Sequence, residues 1–251
     1  MDFSKPNGKL KKIISIILFT SFIFLVNAQE GVKTIGLQFK PIIPSNLLKA
    51  GTFGLSSNKD FMEYSIKQNL GYSAGMIIRF GLTKNWSIES SIKYTKRNFS
   101  YSATNNREQI TLKDKFSIIG YEVPVLALLT VRLDKKIYMN TTFGPSFDMY
   151  PTDVAKYSQA FRQLSLSRRW LQLSLKANIG WEYRTDKNGI FYIGASFHRP
   201  FNDIYQITIT YEGIDFSDEA IERLSGNYLT LDLRYFFHED PEKKSKRTRH
   251  Y

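Results

Sequence analysis

The sequence predicts an all-β protein: an eight-stranded antiparallel up-and-down transmembrane β-barrel with long extracellular loops and short periplasmic turns. Three observations lead there: an export-type leader, eight segments of alternating polarity, and connections that are short and long in strict turn. The 251 residues contain no cysteine, which removes disulfide frameworks and thiolate metal sites. Aromatic residues at 15% and only 8 prolines argue for a folded chain.

The leader comes first. Lys5, Lys9, Lys11 and Lys12 precede the apolar run Ile13 to Val26, and Val26-Asn27-Ala28 places small residues where a signal peptidase reads. Cleavage is expected between Ala28 and Gln29. The apolar run is shorter than the ~20 residues of a spanning helix. Residues 1–28 are therefore a cleaved signal peptide, 29–237 the barrel, and 238–251 a basic flexible tail. Loss of the four lysines and Asp2 lowers the formal charge from +12 to about +9.

The strands follow in order. Val32 to Ile42 sets Ile35, Leu37 and Phe39 against Gly36, Gln38 and Lys40. Tyr72 to Leu82 sets Tyr72, Ala74, Met76, Ile78 and Phe80 against Ser73, Gly75 and Arg79, and Trp86 to Tyr94 sets Trp86, Ile88, Ile92 and Tyr94 against Glu89, Ser91 and Lys93. The fourth, Phe116 to Leu133, turns Val123, Val125, Ala127, Leu129 and Val131 outward and Glu122, Thr130 and Arg132 inward. Pro124 lacks an N–H, so in a closed wall it implies a bulge or a local break in pairing; a bulge would also explain the loss of phase between Phe116 and Tyr121.

Ile137 to Asp148 opposes Ile137, Met139, Phe143 and Phe147 to Tyr138, Asn140, Thr142, Ser146 and Asp148. The sixth segment is the most regular: Leu171, Leu173, Leu175, Ala177, Ile179, Trp181 and Tyr183 face away from Gln172, Ser174, Lys176, Asn178, Gly180, Glu182 and Arg184. Ile190 to His198 and Tyr228 to Phe237 complete the set. Each is about the 9–11 residues that cross a bilayer at a tilt.

Connections separate a barrel from a soluble sandwich. Thr83 to Asn85, Asp134 to Lys136 and Thr185 to Gly189 are short, whereas 43–71, 95–115, 149–170 and 199–227 are long. An even-stranded barrel with both termini in the periplasm produces this alternation. Phe80, Trp86, Tyr183, Tyr235 and Phe237 near the short turns, and Tyr94, Phe147, Trp170, Phe197 and Tyr228 near the long loops, match two interfacial girdles.

Projecting the polar faces inward gives Arg79, Lys93, Arg132, Lys176, Arg184 and Arg234 against Glu89, Glu122, Asp148, Glu182 and Asp232. An eight-stranded barrel is only wide enough for its own side chains, so these charges should pair into a structural network that plugs the lumen. Arg79, Glu89, Arg132, Glu182, Arg184 and Arg234 should form a layer near the periplasmic end. Lys93, Glu122, Lys176 and Asp232 should lie near mid-membrane.

In the long loops, Asp153 to Leu164 and Ser217 to Gly226 carry helical spacing with N-cap residues, so both are expected as short surface helices. Tyr205 to Tyr211 alternates, so either the hairpin of the seventh strand extends above the membrane or that strand is broken at Pro200. Ser196 and His198 share an inner face, but no acidic partner or oxyanion hole accompanies them, and no metal, nucleotide or hydrolase motif occurs. Neither an enzyme nor a cofactor or bound metal is expected. The tail opposes Lys243, Lys244, Lys246, Arg247 and Arg249 to Glu239, Asp240 and Glu242, and nucleic acid is not an expected partner of an exported chain.

Gly120-Tyr121-Glu122-Val123-Pro124-Val125-Leu126, then Phe143-Gly144-Pro145, then Asn178-Ile179-Gly180-Trp181-Glu182-Tyr183 resemble the Bacteroidota outer-membrane β-barrel family that includes the PorT-like proteins. The resemblance spans roughly residues 30 to 237 and implies fold and location in the outer membrane. Through its PorT-like members it implies, as a lesser alternative, a part in gliding motility and type IX secretion. The basic tail departs from the usual family ending at the last aromatic strand. The expected role is a surface-exposed scaffold or binding protein, contacting outer-membrane lipid and a protein partner at the long loops or tail. A narrow channel or sensor, a secretion accessory and a lipid hydrolase are the alternatives.

Overall fold

The computed structural model describes residues 33–44, 52–55, 61–158, 161–212 and 217–237. The expected leader with its Ala28–Gln29 cleavage site and the expected tail 238–251 lie outside them. The described strands are β1 (Lys33–Ile43), β2 (Thr52–Leu55), β3 (Met62–Gln68), β4 (Gly71–Gly81), β5 (Trp86–Asn105), β6 (Ile110–Arg132), β7 (Ile137–Met149), β8 (Val154–Ser158), β9 (Phe161–Ser167), β10 (Leu171–Arg184), β11 (Ile190–Pro200), β12 (Tyr205–Glu212), β13 (Ser217–Leu224) and β14 (Tyr228–Phe236).

Eight of them close a ring in the order β1-β4-β5-β6-β7-β10-β11-β14, with every neighbour antiparallel and β14 returning to β1. Closure leaves no unpaired edge, which is what a β-structure crossing lipid requires. The outward rows are apolar and exposed: Ile35, Leu37, Met76, Ile92 (68%), Phe143, Leu173, Ile179 and Ile193. The inward rows are buried and mostly polar, with Ile77, Leu126, Leu128, Tyr192 and Phe236 among them. Phe39, Tyr72, Tyr94 and Tyr121 form a row of neighbouring rings across β1, β4, β5 and β6 with centroids 5.9–6.2 Å apart. Phe191, Tyr235 and Phe237 make a second row at the end of the short turns.

Above the first aromatic row the polarity of the wall inverts. β5 is 20 residues long and β6 23, and their upper halves keep the same in–out phase. There, however, Phe99, Tyr101, Ala103, Phe116 and Ile118 point inward, while Lys96, Asn98, Ser100 and Ser102 point outward. Lipid no longer covers the outside, so the apolar face must turn to a partner. The partner is a second sheet, β13-β12-β9-β8. It lies over β2, β3 and the upper β5–β6 hairpin, and Tyr64, Ile66, Tyr150, Ile204, Ile207, Ile209, Ala220 and Leu224 complete one apolar core. At one edge Tyr64 donates to Asp218 at 3.1 Å, and at the other Lys156 is bonded to Asp114. The result is a two-sheet head on the outer mouth of the barrel.

Three expectations need correction. The segments 95–115, 153–164 and 217–226 were expected as loops or helices but contain strands, because inward apolar side chains shared with the facing sheet outweigh local helical spacing. At Pro124 the wall shows the expected local break in pairing and not the alternative bulge. The register is unbroken on both flanks, from Trp86↔Leu129 to Asn105↔Ile110 and from Tyr121↔Met149 to Arg132↔Tyr138. Only individual pairs are missing there, and Ser90 Oγ donates to the Pro124 carbonyl at 2.9 Å. The apparent phase loss before Tyr121 is the polarity inversion itself.

Candidate functional site: the barrel interior

The closing strands carry the interior charges into layers. Near the short turns, Arg79 reaches Glu182 at 2.9 Å and Glu89 at 3.3 Å, and Arg234 reaches Glu89 at 2.6 Å and Asp232 at 2.8 Å. Asn140 also bonds Glu182. Gly180 and Gly194 face each other across β10 and β11, leaving the space in which the Tyr192 hydroxyl lies against both and donates to Asn178 Oδ1 at 2.5 Å. Asp232 joins this layer to the next: it takes Lys40 at 2.7 Å, Asn178 at 3.0 Å and Ser196 Oγ at 2.5 Å.

At mid-height Glu122 is shared by Lys93 at 2.9 Å, by Lys176, and by the Tyr228 hydroxyl at 2.6 Å. Above it His198 Nε2 meets Asp148 at 2.7 Å, and Ser146 Oγ donates to the same carboxylate at 2.7 Å. Arg97 closes the stack under the head. It donates to the Gly226 carbonyl at 2.7 Å and the Tyr150 hydroxyl at 2.6 Å, and its guanidinium lies over the Tyr228 ring. Gly226 adopts φ 74°, a left-handed conformation that glycine takes without strain and that turns the chain between β13 and β14. A lumen cavity of about 20 Å³ lies among Lys40, Lys93, Lys176, Ser196 and His198, about the room of one water.

Eight of the ten residues assigned to the lumen network are buried in it: Arg79, Glu89, Lys93, Glu122, Lys176, Glu182, Asp232 and Arg234. Arg184 reaches Glu182 at 2.6 Å but from the rim, with its side chain 38% exposed. Arg132 is a correction. It ends β6 at the turn, is exposed, and donates instead to the carbonyls of Asp134 (3.0 Å) and Lys135 (3.4 Å). Lys40 and Arg97 take the places of the two arginines in the buried interior. Lys40 was visible on the polar face of the first segment; Arg97 lay past the point where alternation was followed.

The Ser196–His198 pair does not assemble. Ser196 donates to Asp232, while His198 faces Asp148 two residues further up the wall. Glu122, Asp148 and His198 do bring ligand atoms within 4.8 Å of one another. Two lysines already neutralise Glu122, so a cation would have to displace them. The geometry is that of an ion-pair ladder with every carboxylate occupied.

A model of the family described as outer membrane protein beta-barrel domain matches residues 36–206. The chain belongs to this family. It is thus an outer-membrane β-barrel protein, and the apolar outward band faces lipid. Among solved structures it is similar to OprG from Pseudomonas aeruginosa, at 12% identity and a TM-score of 0.54, covering 83% of this chain and 97% of that one. Ail of Yersinia pestis (12% identity, TM-score 0.34, 83% and 100% covered) and the protease OmpT of Escherichia coli (13%, 0.39, 83% and 97%) also match. The likeness to OprG is one of fold alone. No curated protein matches the chain.

Proposed function

We propose that the protein is a surface-exposed scaffold or binding protein whose working part is the two-sheet head, held above the membrane by a barrel with a sealed lumen. The observation that carries this reading is the apolar core from Met62 to Leu224 stacked on the charge-paired interior. A channel needs a continuous wet path, whereas Arg97, Tyr150 and Tyr228 fill the neck. A lipid hydrolase is disfavoured because the Ser196 hydroxyl is spent on Asp232. The narrower PorT-like affiliation, with its secretion role, is supported by the Gly120–Leu126, Phe143–Pro145 and Asn178–Tyr183 motifs alone.

Two measurements test the proposal. Reconstitution in a planar bilayer should give no steady conductance. Crosslinking in native membranes followed by purification should capture a partner through head residues, and a variant lacking 106–109 at the β5–β6 tip should fold but capture less. Stable single-channel steps would overturn the reading.

A further inference from the structure

A cleft of about 650 Å³ opens beside the barrel mouth, where three extracellular connections meet. Arg168 and Arg169 enter it from the β9–β10 connection, Arg199 from the end of β11, and Arg223 from the end of β13; Asp203 is its one acidic lining residue. All four arginines are exposed, and none makes an ion pair among the described residues. The lumen behaves differently: Lys40, Arg79, Lys93, Lys176 and Arg234 each touch a carboxylate there. Ser225 also lines the cleft, and its buried Oγ has no hydrogen-bond partner among the described residues.

The depth of the cleft identifies its surroundings. Its wall includes Phe197 and Phe201, the latter 64% exposed at the end of β11, and Trp170, 58% exposed, directly follows Arg169 at the start of β10. Exposed aromatic side chains at strand ends mark the membrane–water boundary. Four guanidiniums facing one carboxylate repel one another unless an anion joins them, and guanidinium forks match phosphate oxygens bidentately.

We propose that this cleft binds the phosphate of an anionic lipid head group in the outer leaflet. The acyl chains would run down beside Phe197, and Ser225 Oγ would add a neutral donor. The ligand chemistry is a phosphate monoester or diester, and membrane lipid is its source.

The test uses the folded chain in phosphatidylcholine nanodiscs, with Trp86→Phe and Trp181→Phe leaving Trp170 as the fluorescent reporter. Phosphatidic acid, a diacylglycerol with the same chains, and soluble glycerol 3-phosphate are titrated in turn, and native mass spectrometry counts bound lipid independently. Phosphatidic acid should bind saturably, and Arg169→Gln/Arg199→Gln/Arg223→Gln should weaken it about tenfold or more, through loss of charge-assisted bonds. Lys84→Gln/Lys135→Gln/Lys187→Gln, which removes the same charge from the periplasmic turns, should bind as the parent does. Equal binding of diacylglycerol, unchanged binding by the arginine variant, or equal loss in the lysine variant overturns the site. Glycerol 3-phosphate binding as tightly as the lipid overturns the membrane source.

Discussion

Glu122→Leu is the sharpest perturbation of the barrel interior. The carboxylate lies between Lys93 at 2.9 Å and Lys176 and accepts from Tyr228 at 2.6 Å, and all four groups are buried. Breaking one buried ion pair by removing a partner costs about 3–5 kcal/mol, because the remaining charge stays desolvated. Here one substitution strands two ammonium groups and one hydroxyl. The leucine side chain returns part of that through apolar burial, about 1.5–3 kcal/mol. At that cost for each of the two ammonium groups, less the leucine's return, a net loss of at least about 3 kcal/mol is expected. It should appear as a lower urea midpoint in lipid vesicles and a lower temperature for loss of the compact band on a heat-modifiability gel. No conductance should accompany it, since Arg97, Tyr150 and the head core still close the mouth. Glu122→Leu/Lys176→Met should recover part of the loss by removing one stranded charge. A single variant as stable as the parent would refute the shared-carboxylate argument, and an open channel would refute the sealed lumen.

Three further outcomes follow from other layers. Gly120→Ala would bring a Cβ within 2.9 Å of the Tyr150 ring, so overpacking of about 1–3 kcal/mol is expected as a lower thermal midpoint. Arg97→Leu deletes bonds of 2.7 and 2.6 Å to Gly226 and Tyr150, each worth about 1.5–3 kcal/mol for a charged donor, and hydrogen exchange should rise first around those two residues. In the head, burial and then the Asp218 carboxylate hold the Tyr64 phenol well above its usual 10.0. The folded state therefore keeps that proton more tightly, and its contribution to stability, complete below pH 10, is lost as pH rises through the folded value. Asp218→Asn should lower the alkaline titration of Tyr64, read as phenolate absorbance against a Tyr64→Phe reference; no change would remove the interaction.

Much of the barrel is legible in the sequence because lipid and lumen impose opposite demands on alternate residues. Leu171 to Arg184 needs no tertiary knowledge to be placed: seven apolar positions alternate with Gln172, Ser174, Lys176, Asn178 and Glu182, and the strand found is the same. The charged interior was legible for the same reason, down to Glu122 and Asp232. Arg132 misled because alternation says which face a residue takes but not where the wall ends. One step from a turn, a long guanidinium can leave the lumen and bond turn carbonyls.

The head was not legible, and the cause is visible within β5. From Trp86 to Tyr94 the outward residues are apolar and the inward ones polar. From Lys96 to Asn105 the strand continues in the same phase with the two roles exchanged. Past the exchange the apolar-outward pattern of a membrane strand ends although the strand does not; the chain has only changed solvent. Tyr94 and Tyr121, paired across β5 and β6, stand at that exchange, which is also where the aromatic row lies. Arg97 sits just beyond it, the first inward residue pair above Thr95 that must bridge a polar lumen and an apolar core. Its hydrogen bonds point to Gly226 and Tyr150 while its guanidinium lies over the Tyr228 ring. An inward arginine three residues above a girdle tyrosine, followed by inward Phe99, Tyr101 and Ala103, therefore marks the place where a membrane wall becomes one side of a sandwich.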